Sequence, residues 1–463
     1  MTAPVRTRKA TAMSPRHLRA GAAALLCLAA TATLVSCGSS DDDTAGSRTT
    51  IDYWLWDDLQ LPGYQDCATA FHRANPDITV KITQTAWSQY WQNLTVELVS
   101  GDAPDVWANQ STYYPQYAAG GQLLDLQPLV DRDNVDLSAY QPGLTGVWVK
   151  DGKRYGLPKD WDTMALVYNT TMLQKQGVDA GRLNDLTWNP SDGGTLEKVI
   201  AKATVDTKGR NGLDPGFDKD HVKTYGFLAE WADGSQGQNG WGDFAASNGF
   251  TFLDKNPWGT HYQYDDPKLA ETITWFKHLI DKGYAPPLDK KSALANSELL
   301  MAGKGAMMVT GSWTISTFTK PKVKQKFAFA PLPTGPAGRK SALNGSSDAI
   351  WAGTKHKEQA WKWVRFLASP ECQNLVAKRG IVFPALKTAT RKALAVHRAR
   401  GEDVHVFTDA AAAKDGTFLL PVTENGTEIS PIVQDAIQSA ILGEASPEAA
   451  LKSANDKAND LVK

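Results

Sequence analysis

The amino-acid sequence predicts an α/β protein whose sheets are mostly parallel and flanked by helices. Segments with the two-residue period of strands alternate with segments of helical period from residue 49 onward. The 463 residues, 42% of them hydrophobic, can fill two cores of ordinary domain size. Polar loops that contain tryptophan follow several predicted strands, and ligands of α/β proteins bind at such strand ends. These observations set the expected fold class and the expected place of a site.

The alternation is clearest between Ile51 and Trp107. Ile51–Trp56 reads as a strand, and Tyr64–Phe71 then places its large apolar residues on one helical face. Ile78, Val80 and Ile82 alternate as a second strand, and Trp91–Leu98 is helical before a third strand at Val106. A strand, helix, strand, helix, strand order is typical of parallel strands joined by helical crossovers.

The later chain contains clear elements around an irregular centre. Residues Trp188–Asn256 are rich in Gly, Asn, Asp and Trp and show no regular period. A helix is predicted from Leu269 to Ile280, and Met307–Val309 reads as a short buried strand. Ser369 and Ser446 each precede a proline and a glutamate, which predicts two helix starts with serine N-caps.

The N-terminal segment predicts export. A basic stretch ending at Arg19 precedes the apolar run Ala20–Val35, in the order expected of a secretory signal. Leu34–Cys37 resembles the bacterial lipobox, in which the cysteine is diacylated. We therefore expect a lipoprotein signal peptide over residues 1–36, a polar tether over 37–48, and an anchor through Cys37 on the outer face of the cytoplasmic membrane. The alternative is an ordinary secretory peptide that is cleaved elsewhere.

The charge of the remaining chain disfavours a nucleic-acid partner. The first 36 residues contain five basic residues and no acidic one, so removing them leaves 44 basic and 50 acidic residues, a net charge of −6. A mildly acidic body lacks the basic surface that binds nucleic acid or anionic lipid.

The cysteines and acidic motifs predict no metal and no cofactor. After Cys27 and Cys37, the sequence retains Cys67 and Cys372, which can form a disulfide in an oxidising compartment or remain two buried thiols. Neither Cys-x-x-Cys nor His-Glu-x-x-His spacing occurs. Residues 206–218 resemble a calcium loop only loosely, because Lys208 and Arg210 stand where acidic ligands belong; a polar hairpin fits better.

Nearly every loop after a predicted strand pairs an indole with a carboxylate or amide, and none of these loops contains arginine. Indoles pack against the apolar C–H faces of sugars, while carboxylates, amides and backbone groups hydrogen-bond to the hydroxyls. This pattern predicts a binding site for an uncharged solute, for which a sugar is the first candidate. The candidate ligand-binding residues are Trp56, Asp57, Asn109, Asp160, Trp161, Asp162, Trp231, Trp241, Gly311, Trp313 and Asn344.

Two other classes of function share these residues. A secreted glycoside hydrolase would need two carboxylates about 5–9 Å apart, for which the candidates are Asp57, Asp160, Asp162 and Glu230. A binder of quaternary amines would use the tryptophans as an aromatic cage. Phosphorylated or carboxylate solutes are disfavoured, because the candidate loops offer Lys159 as their one cation.

Several motifs, in order along the chain, resemble family 1 extracellular solute-binding proteins of ABC transporters, the maltodextrin-binding type. Besides the lipobox-like segment, they are Gly101–Val106, Tyr155–Asn169, Gly303–Trp313, Trp361–Glu371 and Ser430–Leu451. The resemblance implies a two-lobed periplasmic-binding-protein fold of type II. The lobes would comprise residues 49–158 with 329–384, and residues 159–328 with 385–463.

The same resemblance implies the function. The chain would be a monomer without enzymatic activity that binds a sugar or oligosaccharide between its lobes. It would close on the ligand and deliver it to ABC permease subunits in the membrane; a separate ATPase would supply the energy, since the chain has no Walker A motif. Trp313, in a Gly-x-Trp motif, would stack on the sugar, and Asp162 would lie beside the hinge.

Overall fold

The computed structural model describes residues 48–231, 236–288, 295–320 and 325–462. The predicted signal peptide, most of the tether and Cys37 lie outside these residues. The strands are β1 (Thr49–Leu55), β2 (Ile78–Gln84), β3 (Val106–Gln110), β4 (Val149–Lys150), β5 (Lys153–Arg154), β6 (Leu157–Asp162), β7 (Met164–Asn169), β8 (Val205–Asp206), β9 (Val222–Phe227), β10 (Gly305–Gly311), β11 (Phe327–Ala330), β12 (Ser341–Ile350), β13 (Phe383–Pro384) and β14 (Thr417–Leu419).

Helices separate most of these strands, as the alternating pattern predicts. They are α1 (Leu61–Ala74), α2 (Trp87–Ser100), α3 (Tyr114–Ala119), α4 (Gln127–Arg132), α5 (Leu144–Val147), α6 (Thr170–Lys175), α7 (Gly194–Ala203), α8 (Trp241–Asn248), α9 (Pro267–Asp281), α10 (Asn296–Met301), α11 (Ile315–Thr319), α12 (Lys357–Leu367), α13 (Pro370–Arg379), α14 (Lys387–Ala399), α15 (His405–Ala412), α16 (Gly426–Leu442) and α17 (Pro447–Leu461). Ser446 caps α17 by accepting a hydrogen bond from the Ala449 N–H, whereas Ser369 at the start of α13 makes no such cap bond.

The strands form two larger sheets and a small hairpin. The first sheet has seven strands in the order β13-β6-β12-β3-β1-β2, with β14 paired to β12. The second has five strands in the order β11-β7-β10-β9-β8, and β4 pairs with β5. We call the seven-stranded sheet, with the helices packed on it, the first lobe. The five-stranded sheet with its helices is the second lobe. Residues 47–463 together form one compact unit.

Both sheets are mixed rather than mostly parallel, which corrects the prediction. Strands β1, β2 and β3 pair in parallel, as βαβ crossovers require. Strands β6 and β12, however, pair antiparallel within the first sheet, as β7 and β10 do within the second. In the first sheet, β12 returns from the second sheet, so no crossover helix sets its direction relative to β6.

Sheet membership also moves the predicted lobe boundaries. The boundary at 158/159 falls inside β6, and the chain passes to the second sheet at Thr163 instead. The boundary at 328/329 falls inside β11, and the return lies between Ala330 and Ser341. Residues of α14 pack on α13 and β13 of the first lobe, beyond the predicted boundary at 384/385.

A disulfide cross-links two helices of the first lobe. Cys67 of α1 and Cys372 of α13 are bonded, with their Cα atoms 5.1 Å apart, and both are fully buried. Of the two alternatives for these cysteines, the structure has the disulfide. Beside it Phe71 packs edge-on against Trp363, with ring centroids 5.2 Å apart. The bond thus joins two helices that are 305 residues apart in sequence.

Candidate functional site

A cavity with a volume of about 690 Å³ is lined by residues of both lobes. This volume falls in the usual range for small-molecule sites. Residues after β1, in β6 and in β12 line it from the first lobe, and residues after β10 line it from the second. The predicted residues that border it are Trp56, Asp57, Asp160, Trp161, Asp162, Trp313 and Asn344.

One wall of the cavity is aromatic. Trp56 follows the last residue of β1 and lies edge-on to Trp87, with ring centroids 5.2 Å apart. Tyr90 and Trp91 of α2 also pack against Trp56, with ring centroids 5.4 and 5.5 Å from that of Trp56. Both Trp56 and Trp87 stay partly exposed and line the cavity. The neighbours fix the two rings, so little side-chain entropy would be lost when a flat apolar surface packs on them.

Trp313 borders the cavity from the second lobe. It follows β10 and packs against two hydrophobic clusters while remaining partly exposed. Its ring lies over Gly311, where a Cβ atom would overlap the indole carbons. Gly311 does not line the cavity itself; it makes room for the indole that does.

The pleat of β6 separates two carboxylates from an indole. Alternate residues of a strand point to opposite faces, so Asp160 and Asp162 share one side and Trp161 the other. Asp160 Oδ1 accepts a hydrogen bond from the Ser346 N–H at 2.9 Å. Trp161 borders the cavity, but its side chain is 1% exposed, stacks on Phe383 and donates to Thr390. Trp161 thus lies at the cavity with its indole largely packed in the first lobe, and its contact with a ligand stays a prediction.

A chain of hydrogen bonds links the two lobes at the cavity. Gln238 Nε2 donates to Asp162 Oδ1 at 2.7 Å, and Gln238 Oε1 accepts from Asn344 Nδ2 at 3.2 Å. Asn344 Oδ1 in turn accepts from the Ser111 hydroxyl at 2.7 Å. Gln238 comes from the loop before α8, whose residues pack in the core of the second lobe. The other three side chains belong to the first lobe, so this chain sets the spacing of the two walls.

Burial shifts the pKa values of the cavity carboxyls upward. Desolvation raises the pKa of Asp162 well above its ordinary value, and the charge of Asp160 adds to the effect. Burial likewise raises the pKa of Asp160, against the nearby charge of Lys159. Burial also raises the pKa of Asp57, although the Gln60 amide and the Leu59 N–H donate to its carboxylate at 2.8 Å.

The three remaining predicted contacts lie away from the cavity. Asn109 is fully buried in β3, because the pleat turns its neighbour Gln110 toward the cavity instead. Trp231 is 4% exposed and packs edge-on against Phe276. Trp241 is 2% exposed and packs on Phe252, with ring centroids 5.6 Å apart. Both indoles are core residues of the second lobe, so these predictions are corrected.

Two charged residues weighed at the sequence level also lie elsewhere. Lys159 is 4% exposed and pairs with Asp348 at 3.1 Å on the face of β6 opposite the cavity. Glu230, a carboxylate considered for hydrolysis, does not line the cavity and accepts from Asn296 at 3.2 Å.

Sequence reasoning missed Trp87, Gln110, Gln238, Asn239 and Ser312, all of which line the cavity. Gln110 and Ser312 are next to predicted residues, and counting the strand alternation from a known inward residue would have found Gln110. Gln238 and Asn239 lie in the irregular centre of the chain, where no period marks which side chains point inward.

The described part of the chain shows no cluster of three or more metal-ligating side chains. Asp206, the first residue of the calcium-like loop, instead accepts hydrogen bonds from the backbone N–H groups of Lys208, Arg210 and Asp218. No helix within the described ranges has the length and apolarity needed to cross a membrane.

Comparison with known proteins gives the family. Residues 66–400 match the family described as bacterial extracellular solute-binding protein. A putative binding protein of Brucella abortus is 25% identical over 407 residues, which cover 87% of this chain and 90% of the relative. The maltodextrin-binding protein MdxE of Bacillus subtilis is 24% identical over 342 residues, 73% of each chain. The diacetylchitobiose binding protein DasA of Streptomyces coelicolor is 24% identical over 408 residues, covering 84% and 86% of the two chains.

Solved structures share the fold. An ABC substrate-binding protein of Listeria monocytogenes, in complex with cycloalternan, aligns with a TM-score of 0.76 and 21% identity, covering 90% of this chain and 99% of that one. UspC of M. tuberculosis aligns with a TM-score of 0.70 and 25% identity, covering 89% and 100%. The two-lobed fold of type II, predicted from the sequence, is confirmed. The chain belongs to the bacterial extracellular solute-binding protein family.

Proposed function

We propose that this protein is the substrate-binding component of an ABC importer and captures a sugar or oligosaccharide in the cavity between its lobes. It binds the ligand without altering it, and permease subunits in the membrane receive it. The bound ligand shifts the lobes toward the closed arrangement by its difference in affinity for the closed and open states.

The observation that carries the proposal is the chemistry of the cavity wall. Partly exposed indoles of Trp56, Trp87 and Trp313 come from both lobes, and carboxylates and amides lie between them. A sugar presents apolar faces to indoles and hydroxyl groups to such acceptors. Two faces of about 70 Å² each would contribute about 1.7 kcal/mol apiece, and hydrogen bonds to carboxylates about 1.5–3 kcal/mol each. Two such faces and three such hydrogen bonds together reach the roughly 8 kcal/mol of a micromolar complex.

The names of the relatives support a carbohydrate ligand. MdxE is a maltodextrin-binding protein, DasA binds diacetylchitobiose, and the Listeria protein was solved with cycloalternan. The three cover between 73% and 90% of this chain. At about one quarter identity or less, the particular sugar does not transfer from them to this chain.

We also propose that the protein is exported and held on the outer face of the cytoplasmic membrane through lipidated Cys37. The order of basic, apolar and small-residue segments before Cys37 supports this. Radiolabelled palmitate incorporation into the wild-type chain but not into Cys37→Ser tests the anchor. A labelled Cys37→Ser protein, or an unlabelled wild type in a strain that lipidates a control lipoprotein, would contradict it.

Isothermal titration of the purified protein with mono-, di- and oligosaccharides tests the ligand class. We expect at least one sugar to bind with micromolar affinity or better, and the sugar to be recovered unchanged. Recovery of cleaved sugar would instead show a hydrolase. Binding of choline or betaine in the absence of sugar binding would show a receptor for quaternary amines.

A further inference from the structure

The charge in the cavity has one sign. Asp57, Asp58, Asp160 and Asp162 all line it, and its lining within the described residues contains neither lysine nor arginine. Lys159, adjacent to Asp160 in sequence, points to the opposite face. There its ammonium group donates to the Tyr53 hydroxyl at 2.7 Å and to Asp348 at 3.1 Å. Its charge still lowers the pKa of Asp160 against the effect of burial, whereas no such cation in the described part of the chain acts on Asp162.

Two buried polar atoms at the cavity lack a partner. Asp160 is 5% exposed, and its Oδ2 makes no hydrogen bond to the described residues. Ser312 is 1% exposed, and its hydroxyl is likewise without a hydrogen-bond partner in that set. Both residues line the cavity, one from each lobe. A buried polar group left unpaired is costly, so these atoms favour a ligand that supplies hydrogen-bond donors.

The two carboxyls of β6 also oppose each other. Burial, and then the charge of Asp160, raises the pKa of Asp162, which means that the site disfavours a second negative charge beside Asp160. A cation placed against Asp162 would remove this penalty. Among the described residues, the neutral amide of Gln238 is the contact that stabilises the Asp162 charge.

We propose that Asp162 is a specificity-determining residue, and that the cavity prefers a sugar bearing a protonated primary amino group over the same sugar bearing a hydroxyl. The proposal rests on the proposed function and narrows its ligand class to amino sugars. The ammonium group lies against Asp162 and Asp160, and the sugar face lies against the indoles, whose rings also attract cations.

The same atoms disfavour a quaternary amine. A trimethylammonium group carries no N–H, so it cannot donate to Asp160 Oδ2 or to the Ser312 hydroxyl. A primary ammonium group has three donors and forms charge-assisted hydrogen bonds with carboxylates. The N–H donors therefore favour an amino sugar over a quaternary amine, although both carry the same charge.

Proton linkage follows from the arrangement. The titratable groups that line the cavity around Asp162 are Asp160 on its own strand and Asp57 and Asp58 across from it; Lys159 and Asp348 pair on the other face of β6. The raised pKa of Asp162 means that this carboxyl gains a proton as the pH falls through the raised value. An ammonium ligand needs the ionised form, so its affinity falls with the pH and its binding releases protons.

Titration calorimetry with matched ligands tests the proposal. The ligands are glucosamine, glucose and N-acetylglucosamine, each free and as its β-1,4-linked disaccharide, which differ at C2 in bearing an ammonium, a hydroxyl or an acetamido group. We expect the amine to bind about tenfold more tightly than the hydroxyl form at pH 7, the factor that 1.4 kcal/mol represents. We expect proton release in paired buffers of different ionisation enthalpy with the amine alone, measured at a pH low enough that the free amine is already fully protonated and takes up no proton on binding.

Two isosteric variants complete the test. Asp162→Asn should abolish the preference and the proton release, whereas Asp102→Asn, which removes the same formal charge from an exposed position outside the cavity, should retain both. Equal or tighter binding of the hydroxyl sugar, or a preference that survives Asp162→Asn, would overturn the inference while leaving sugar binding intact. If no matched ligand binds but another sugar of the wider panel does, the inference alone fails. If no sugar binds at all, the proposed function fails with it.

Discussion

Tryptophans at the strand ends and tryptophans in the irregular centre of the chain have different surroundings. Trp56 and Trp313 follow β1 and β10, stay partly exposed and line the cavity. Trp231 and Trp241 lie near the start of α8 and are almost fully buried. Trp56 stands beside Asp57 in sequence, and Trp231 likewise stands beside Glu230. The neighbouring residue type therefore does not distinguish a ligand contact from a core residue, whereas the position at a strand end does.

The buried tryptophans still serve the site through the loop they support. The ring of Trp241 occupies the space where a Cβ of Gly237 would stand, and Gly237 has a φ of +84°. The next residue, Gln238, reaches across to Asp162 and Asn344. Trp241 thus acts on the cavity by fixing the backbone of Gln238, while Trp313 borders it directly.

The largest effect that we expect is on stability, and it tests the contrast between buried and cavity-lining tryptophans. We expect Trp241→Ala to lower the free energy of unfolding by about 3–5 kcal/mol, because it leaves a cavity in the core of the second lobe. Urea denaturation followed by circular dichroism measures it. Trp313→Ala serves as the control and should cost clearly less, since its ring is partly exposed. Equal losses in the two variants would contradict the division into core and cavity tryptophans.

The second test concerns affinity. We expect Trp313→Ala to weaken binding of the best sugar roughly twentyfold, the equivalent of about 1.7 kcal/mol for one stacked face. Titration calorimetry measures the dissociation constant, and Trp313→Phe, which keeps an aromatic face, should lose much less. An unchanged dissociation constant in Trp313→Ala would remove this indole from the binding site.

A third test separates the indole from the glycine beneath it. In Gly311→Ala the added methyl group would overlap the Trp313 ring, so the indole must shift. We expect sugar affinity to fall by about tenfold, less than in Trp313→Ala, because the displaced ring stays near the cavity. Affinity equal to that of the wild type would show that the position of the ring over Gly311 is not needed.

The smallest expected effect contrasts an acid of the cavity with an acid of the irregular centre. Burial raises the pKa of Asp162, so its ionised form costs stability at neutral pH, and we expect Asp162→Asn to raise the free energy of unfolding there. Burial also raises the pKa of Asp206, but N–H donors of Arg210 and Asp218 outweigh it and lower the value to about 2.

Asp206 therefore stabilises the fold above the pKa of the unfolded chain, and this contribution is lost as the pH falls toward 2. Asp206→Asn should accordingly be less stable than the wild type at pH 7, with the difference shrinking in acid. Urea midpoints of both variants between pH 7 and pH 3 measure the two trends. If both variants are more stable than the wild type at pH 7, or both are less stable, the opposite pKa shifts of Asp162 and Asp206 would be contradicted.

Much of the site followed from local pattern. Trp56, Asp57, Asp162, Trp313 and Asn344 were predicted from their loops and all line the cavity. The error at Asn109 has a plain cause: the residue lies inside β3, and the two-residue alternation turns Gln110 toward the cavity in its place. Gln238 was missed because a loop without a period does not show which side chains its supports turn inward.

The sequence by itself determined the fold class, the succession of strands and helices, and the segments that reach the cavity, because these depend on periodicity and local capping. The tertiary structure alone decided which face of each strand meets the cavity, how Cys67 pairs with Cys372, and how Gln238 joins the lobes. Those features depend on contacts between residues far apart in the chain, and no local pattern records them.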